Sequence, residues 1–179
     1  MVNKIQAVFI DRDGTMGGVG TEVIYPSFFQ LYSFTEDAFK ILKDYKVKIF
    51  AFTNQPGISL GKSTKEVFVK EFLKFGLDNA YICPHSPDEH CKCRKPEIGL
   101  LLKSSKDYKL DLSKCMIIGD RLSDMQAAEK VNAHKILVKT GSGVESLKAY
   151  KYHNQNMHFD YIAENLLDAV KWMTSNKII

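Results

Sequence analysis

Five short apolar, β-branched runs punctuate the chain, at Ala7–Ile10, Val47–Phe52, Ala80–Ile82, Met116–Ile118 and Ile136–Val138, and each has a helical pattern beside it. Apolar runs that alternate with helices predict an α/β fold, a Rossmann-like doubly wound parallel sheet covered on both faces. The helical stripes are Ala38, Ile41, Leu42 and Tyr45, then Phe68, Phe72 and Phe75, then Leu166, Val170 and Met173. Ser63–Glu66 and Ser123–Gln126 have the spacing of capping boxes that open helices. At 179 residues the chain is long enough for one substantial core and too short for two ordinary ones, so residues 1–179 are expected to form a single domain.

Between the third and fourth runs lies Cys-Pro-His-Ser-Pro-Asp-Glu-His-Cys-Lys-Cys-Arg-Lys, residues 83–95. Zn²⁺ favours tetrahedral thiolate and imidazole ligation, and Cys83, His85, Cys91 and Cys93 supply a complete Cys₃His set with no position left for water. That pattern predicts a structural zinc-binding loop. His90, next to Cys91, is the alternative to His85. Cys115 precedes an apolar run and is expected to be a buried core thiol.

The hydrophobic share is 45% and the charged share 26%, as in a soluble globular chain, and no apolar run approaches the ~20 residues of a membrane span. The amino terminus is unlike a secretory signal, and clustered cysteines suit a reducing compartment, so a cytoplasmic protein without membrane association is expected. The net charge is +4 with lysines spread along the chain, which gives no basic stripe for nucleic acid but helps to attract a phosphorylated metabolite. Residues 14–35 fit neither strand nor helix period. They carry Gly14, Gly17, Gly18, Gly20 and Pro26 with Tyr25, Phe28, Phe29, Tyr32 and Phe34, and are expected to form a small lid insertion.

In an open parallel sheet, ligands bind beyond the carboxyl ends of the strands. Asp11 and Asp13 follow the first run, Thr53 and Asn54 the second, and Asp120 the fourth, while Arg94 and Lys95 follow the third through the zinc loop.

Asp-Arg-Asp-Gly-Thr at 11–15, Thr-Asn-Gln at 53–55, Arg-Lys-Pro at 94–96 and Gly-Asp-Arg-Leu-Ser-Asp at 119–124 together resemble the haloacid-dehalogenase (HAD) superfamily of phosphohydrolases. The resemblance implies that Asp11 attacks phosphorus to form an aspartyl-phosphate and that Asp13 is the proton donor and later the base. It also implies Mg²⁺ held by Asp11, the backbone carbonyl of Asp13, and Asp120, with Asp124 in support. Thr53 and Lys95 would bind the transferring phosphoryl group, and Asn54 and Arg94 would orient the substrate. Asp124 has a second reading, as an acid favoured in a first helical turn.

The cysteine loop resembles the branch that contains heptose 1,7-bisphosphate phosphatases and histidinol-phosphate phosphatases. Gly57-Ile58 after Thr-Asn-Gln-Pro favours the first type; the five residues between His85 and Cys91 resemble the second. Two features depart from the heptose type. Met16-Gly17-Gly18 stands where those enzymes have Asn, and Ser59-Leu60 stands where they have Ala-Arg. The expected substrate is heptose 1,7-bisphosphate, with histidinol phosphate second and a polynucleotide 3′-phosphate end third. The chain is expected to act as a monomer.

Overall fold

The computed structural model describes residues 4–18, 25–152 and 157–179. Six parallel strands form one sheet: β1 (Ala7–Ile10), β2 (Lys48–Asn54), β3 (Asn79–Cys83), β4 (Cys115–Gly119), β5 (His134–Val138) and β6 (Tyr161–Ala163). Their order across the sheet is β3-β2-β1-β4-β5-β6. In register, Ile10 lies beside Ala51 on one flank and Ile118 on the other. The order reverses between β1 and β4, so the loops after these two strands diverge and leave a crevice at the carboxyl edge.

Strand residues point alternately to the two faces. Val8, Ile10, Ile49 and Ala51 meet α1 (Thr35–Asp44), α2 (Lys65–Lys74) and α6 (Leu166–Ser175), through Ala38, Leu42, Phe68, Phe72, Leu166, Val170 and Met173. Ala7, Phe9, Phe50 and Phe52 face α3 (Gly99–Tyr108) and α4 (Leu122–Lys130), through Leu100, Leu101, Ala127 and Ala128. Phe9 and Phe50 approach to 5.2 Å between ring centroids, and Phe50 meets Tyr81 edge-on at 5.7 Å. A smaller cluster around Met125 and Leu137 receives Leu147 and Tyr150 of α5 (Gly143–Tyr152). Cys115 is buried, as its apolar setting predicts. Among the described residues, no helix is long and apolar enough to cross a membrane.

Several local expectations are corrected. Tyr45 lies past the end of α1 and is half exposed, so only the earlier members of its stripe face the core. The cap of α2 is Thr64 rather than Ser63, and no side-chain capping bond forms there. α4 starts one residue before Ser123; the carboxylate of Asp124, in the third helical position, accepts the Arg121 backbone N–H at 3.1 Å.

Part of the 14–35 segment is a stem. Gly17 and Leu31 form an antiparallel bridge, the Gly18 N–H donates to the Gln30 carbonyl, and the Tyr32 N–H donates to the Met16 carbonyl. Phe29 and Phe34 pack on the core, whereas Phe28 is exposed, so these rings divide between padding and surface. Gly20 lies outside the described residues.

Candidate active site

β1 delivers Asp11 into the crevice, and β4 delivers Asp120 opposite it. Both are buried. Oxygens of Asp11, Asp120 and Asp124 lie within 4.8 Å of one another. Burial, with Asp11 and Asp124 nearby, pushes the Asp120 carboxyl up to about 8; burial also raises Asp124, to about 6, against the opposing pull of Lys95. Backbone geometry permits this crowding. Gly14 (φ +89°) and Gly141 (φ +57°) flank Asp120, and a Cβ on either would overlap its carboxylate. The Ser142 N–H reaches the same carboxylate at 2.7 Å.

Lys95 enters from the far side. Its Nζ lies 2.8 Å from Asp11 Oδ1, 2.5 Å from Asp124 Oδ1 and 2.6 Å from the Phe52 carbonyl. Burial alone would push this lysine down, but Asp11 and Asp124 outweigh it and hold the ammonium charged. The Asn54 side chain brackets the Lys95 backbone, accepting from its N–H at 3.0 Å and donating to its carbonyl at 3.3 Å. Asn54 thus sets where Lys95 leaves the chain.

Asp13, two residues after Asp11, turns away from the carboxylate cluster. Its oxygens receive Arg12 NH1 at 2.5 Å and Gln55 Nε2 at 2.6 Å. Gln55 also donates to the Thr53 hydroxyl oxygen at 2.9 Å. The crevice has a cavity of about 310 Å³ lined by Asp11, Asp13, Thr53, Asn54, Pro56, Arg94, Lys95, Arg121 and Ser123. All the predicted catalytic and phosphate-binding residues line it, while Asp120 and Asp124 lie beneath. Arg121, Ser123 and Gln55 were missed. Their signal was adjacency, since each stands within three residues of a motif acid or threonine. A larger groove of about 730 Å³ beside α1 is lined by Lys40, Lys43 and Lys74 but has no buried acid pair.

Cys83, His85, Cys91 and Cys93 converge beside this crevice. Their sulfur–sulfur distances are 3.3–3.6 Å, and His85 Nδ1 lies 3.1 Å from Cys93 and 3.6 Å from Cys83. Tetrahedral ligands about 2.3 Å from zinc stand about 3.8 Å apart, so the cluster is slightly tighter than a zinc cage but has its shape. His90 is exposed, has left-handed backbone (φ +45°) and takes no part. Arg94 NH1 donates to the His85 carbonyl at 3.2 Å, which ties the cysteine cluster to the crevice wall.

A parallel sheet whose switch point carries Asp-x-Asp, a buried lysine and a second acid loop defines a hydrolase of the HAD type. The HAD-hydrolase-like family profile matches residues 92–169. The D-glycero-β-D-manno-heptose-1,7-bisphosphate 7-phosphatase of Yersinia pestis is 35% identical over 161 residues, covering 80% of this chain and 86% of that protein. The enzyme of the same name from Helicobacter pylori strain J99 is 33% identical over 153 residues, covering 78% and 86%. A crystal structure of D,D-heptose 1,7-bisphosphate phosphatase from B. bronchiseptica, complexed with magnesium and phosphate, shares the fold with a TM-score of 0.81 at 24% identity, covering 96% of this chain and 99% of that one. The chain belongs to the HAD-like phosphatases that include these enzymes.

Proposed function

We propose that residues 1–179 act as a single-domain, monomeric, cytoplasmic phosphomonoesterase that depends on Mg²⁺ and removes a phosphate from D-glycero-D-manno-heptose 1,7-bisphosphate. The observation that carries the reading is the Asp11 carboxylate, held by Lys95 at the switch point with two further buried acids within 4.8 Å.

Three buried carboxylates with one lysine are short of positive charge, and oxygen donors suit magnesium. Asp124 is engaged by Lys95 and the Arg121 N–H, which leaves Asp11, the Asp13 carbonyl and Asp120 to hold the ion. When bound, Mg²⁺ supplies positive charge against the phosphoryl oxygens. Asp11 attacks phosphorus; its bond to phosphorus forms as the ester P–O bond breaks, and Asp13 gives its proton to the departing alkoxide. Asp13 then takes a proton from water as the water oxygen attacks phosphorus and releases Asp11.

Thr53 and Lys95 bind the phosphoryl oxygens. The Lys95 ammonium donates to Asp11 and to the Phe52 carbonyl and pairs with Asp124, so the phosphate competes with these groups for it. Arg94, anchored to the zinc loop, and Arg121 across the crevice offer cationic donors to a second phosphate. The cysteine cluster holds zinc structurally and fixes the Arg94-Lys95 pair. The small cavity and scattered lysines favour a compact ester over a polynucleotide, and the printed names of the relatives favour heptose bisphosphate over histidinol phosphate. The 14–35 segment starts at the Asp13–Gly17 bridge beside the crevice, and it would serve as the lid over such a ligand.

The test compares kcat/KM for heptose 1,7-bisphosphate, histidinol phosphate and a 3′-phosphorylated oligonucleotide in one buffer. Preference for the heptose ester is expected. Preference for histidinol phosphate would refute the substrate assignment, and preference for the oligonucleotide the whole metabolite reading.

A further inference from the structure

Arg12 stands between the two motif aspartates, yet its side chain leaves the crevice and is fully buried. Its Nε and NH2 donate to Glu71 of α2 at 2.7 and 3.0 Å, a fork-to-fork pair, and NH1 donates to Asp13 Oδ1 at 2.5 Å. The guanidinium lies 3.7 Å from the centroid of the Phe29 ring and 5.1 Å from that of Phe68. Burying a guanidinium carries a large desolvation cost, and an apolar chain of that size would fill the same space without it. What the arginine adds is its rigid fork, which reaches two carboxylates at once.

On the reading of Asp13 as proton donor given above, we infer that Arg12 and Glu71 form a buried clamp that positions the Asp13 carboxyl for proton transfer to the leaving oxygen. The terminal torsion of an aspartate is broad when unrestrained. Here Arg12 fixes one oxygen and Gln55 the other, so the carboxyl plane is set. Glu71 in turn holds Arg12 through both ends of the guanidinium fork, which fixes where NH1 meets Asp13. Arg12 and Glu71 are positioning residues, since neither lines the crevice.

The experiment compares Glu71→Gln, Arg12→Lys and Asp13→Asn on two esters, heptose 1,7-bisphosphate, whose alkoxide needs a proton, and dinitrophenyl phosphate, whose leaving group needs none. The readout is the single-turnover rate of leaving-group release, which precedes the water attack that both esters share. Misplacing a general acid should cost about tenfold to a hundredfold in that rate on the heptose ester. The inference predicts that loss for Glu71→Gln and Arg12→Lys, with substrate affinity within about twofold and a much smaller loss on the activated ester. Equal losses on both esters, or failure of both variants to fold, would make the clamp purely structural and overturn the inference. Asp13→Asn separates the two levels. If it slows leaving-group release from both esters equally, the acid assignment fails; if it alone shows the leaving-group dependence, only the clamp fails.

Discussion

Replacing Asp120 by asparagine should inactivate the enzyme and yet stabilise it in magnesium-free buffer at high pH. The folded protein holds this carboxyl at about 8 against an ordinary 3.8, by burial and by Asp11 and Asp124. Because the folded value is raised, the native state binds the proton more tightly than the unfolded chain. Stability therefore falls as pH rises from about 4 to about 8. At about 1.4 kcal/mol per pH unit, the ceiling on this penalty is about 2 kcal/mol at pH 5 and about 6 kcal/mol at pH 8. Below about pH 8 the folded carboxyl is itself protonated, so the amide keeps a neutral acceptor for the Ser142 N–H and loses no charge. The expected gain is therefore at most about 2 kcal/mol at pH 5 and about 6 kcal/mol at pH 8, so Tm rises by up to roughly 8–16 °C more at pH 8 than at pH 5 for a chain of this size. Thermal melts at both pH values, on protein dialysed free of magnesium but retaining zinc, read this directly. Added Mg²⁺ should raise the wild-type melt more at pH 8 than at pH 5 and should do little for the variant. A variant that melts below wild type at pH 8 by as much as at pH 5 would refute the argument from carboxylate crowding.

Asp11→Asn should abolish phosphate release with a melting temperature close to wild type, and substantial residual turnover would remove Asp11 from its role. Cys91→Ser should lose zinc and raise proteolytic cleavage within residues 83–95, checked by metal analysis and limited digestion; wild-type protein purified without chelators yet lacking one zinc per chain would contradict the cage. Gly141→Ala should lower activity at least tenfold by displacing Asp120, given the left-handed backbone and the overlap its Cβ would meet. Activity equal to wild type would show that Asp120 has room to move.

Legibility in the sequence followed burial and motif order. Strands covered on both faces are continuous apolar runs, so all five predicted strands lie in the sheet, with ends off by a residue or two. β6 has three residues, Tyr161–Ala163, at the sheet edge, too short to leave a run. α3 begins at Gly99 without a side-chain cap, and its start is set instead by the Gly99 N–H donating to the Lys92 carbonyl inside the cysteine loop, a tertiary fact. Tyr45 matched the α1 stripe in period alone, since the helix stops before it. In the site, Asp11, Asp13, Lys95 and Asp120 were readable because each ends a strand or follows the cysteine loop. Arg12 and Glu71 were not, because their pairing depends on α2 passing the first loop, 59 residues away in the chain. Asp124 accepts the Arg121 N–H at the helix start with one oxygen, as an acid of the first turn does, and pairs ionically with Lys95 through the other.

A phosphoryl group carried by Asp11 is trapped by rapid acid quench during turnover of heptose 1,7-bisphosphate with Mg²⁺ present, followed by mass spectrometry of the peptide that contains residues 7–15. One added phosphoryl group is expected on Asp11 in the wild-type enzyme, released by hydroxylamine and absent from Asp11→Asn. Full turnover with no covalent phosphate on that peptide at any quench time, or phosphate carried on another residue, would contradict it.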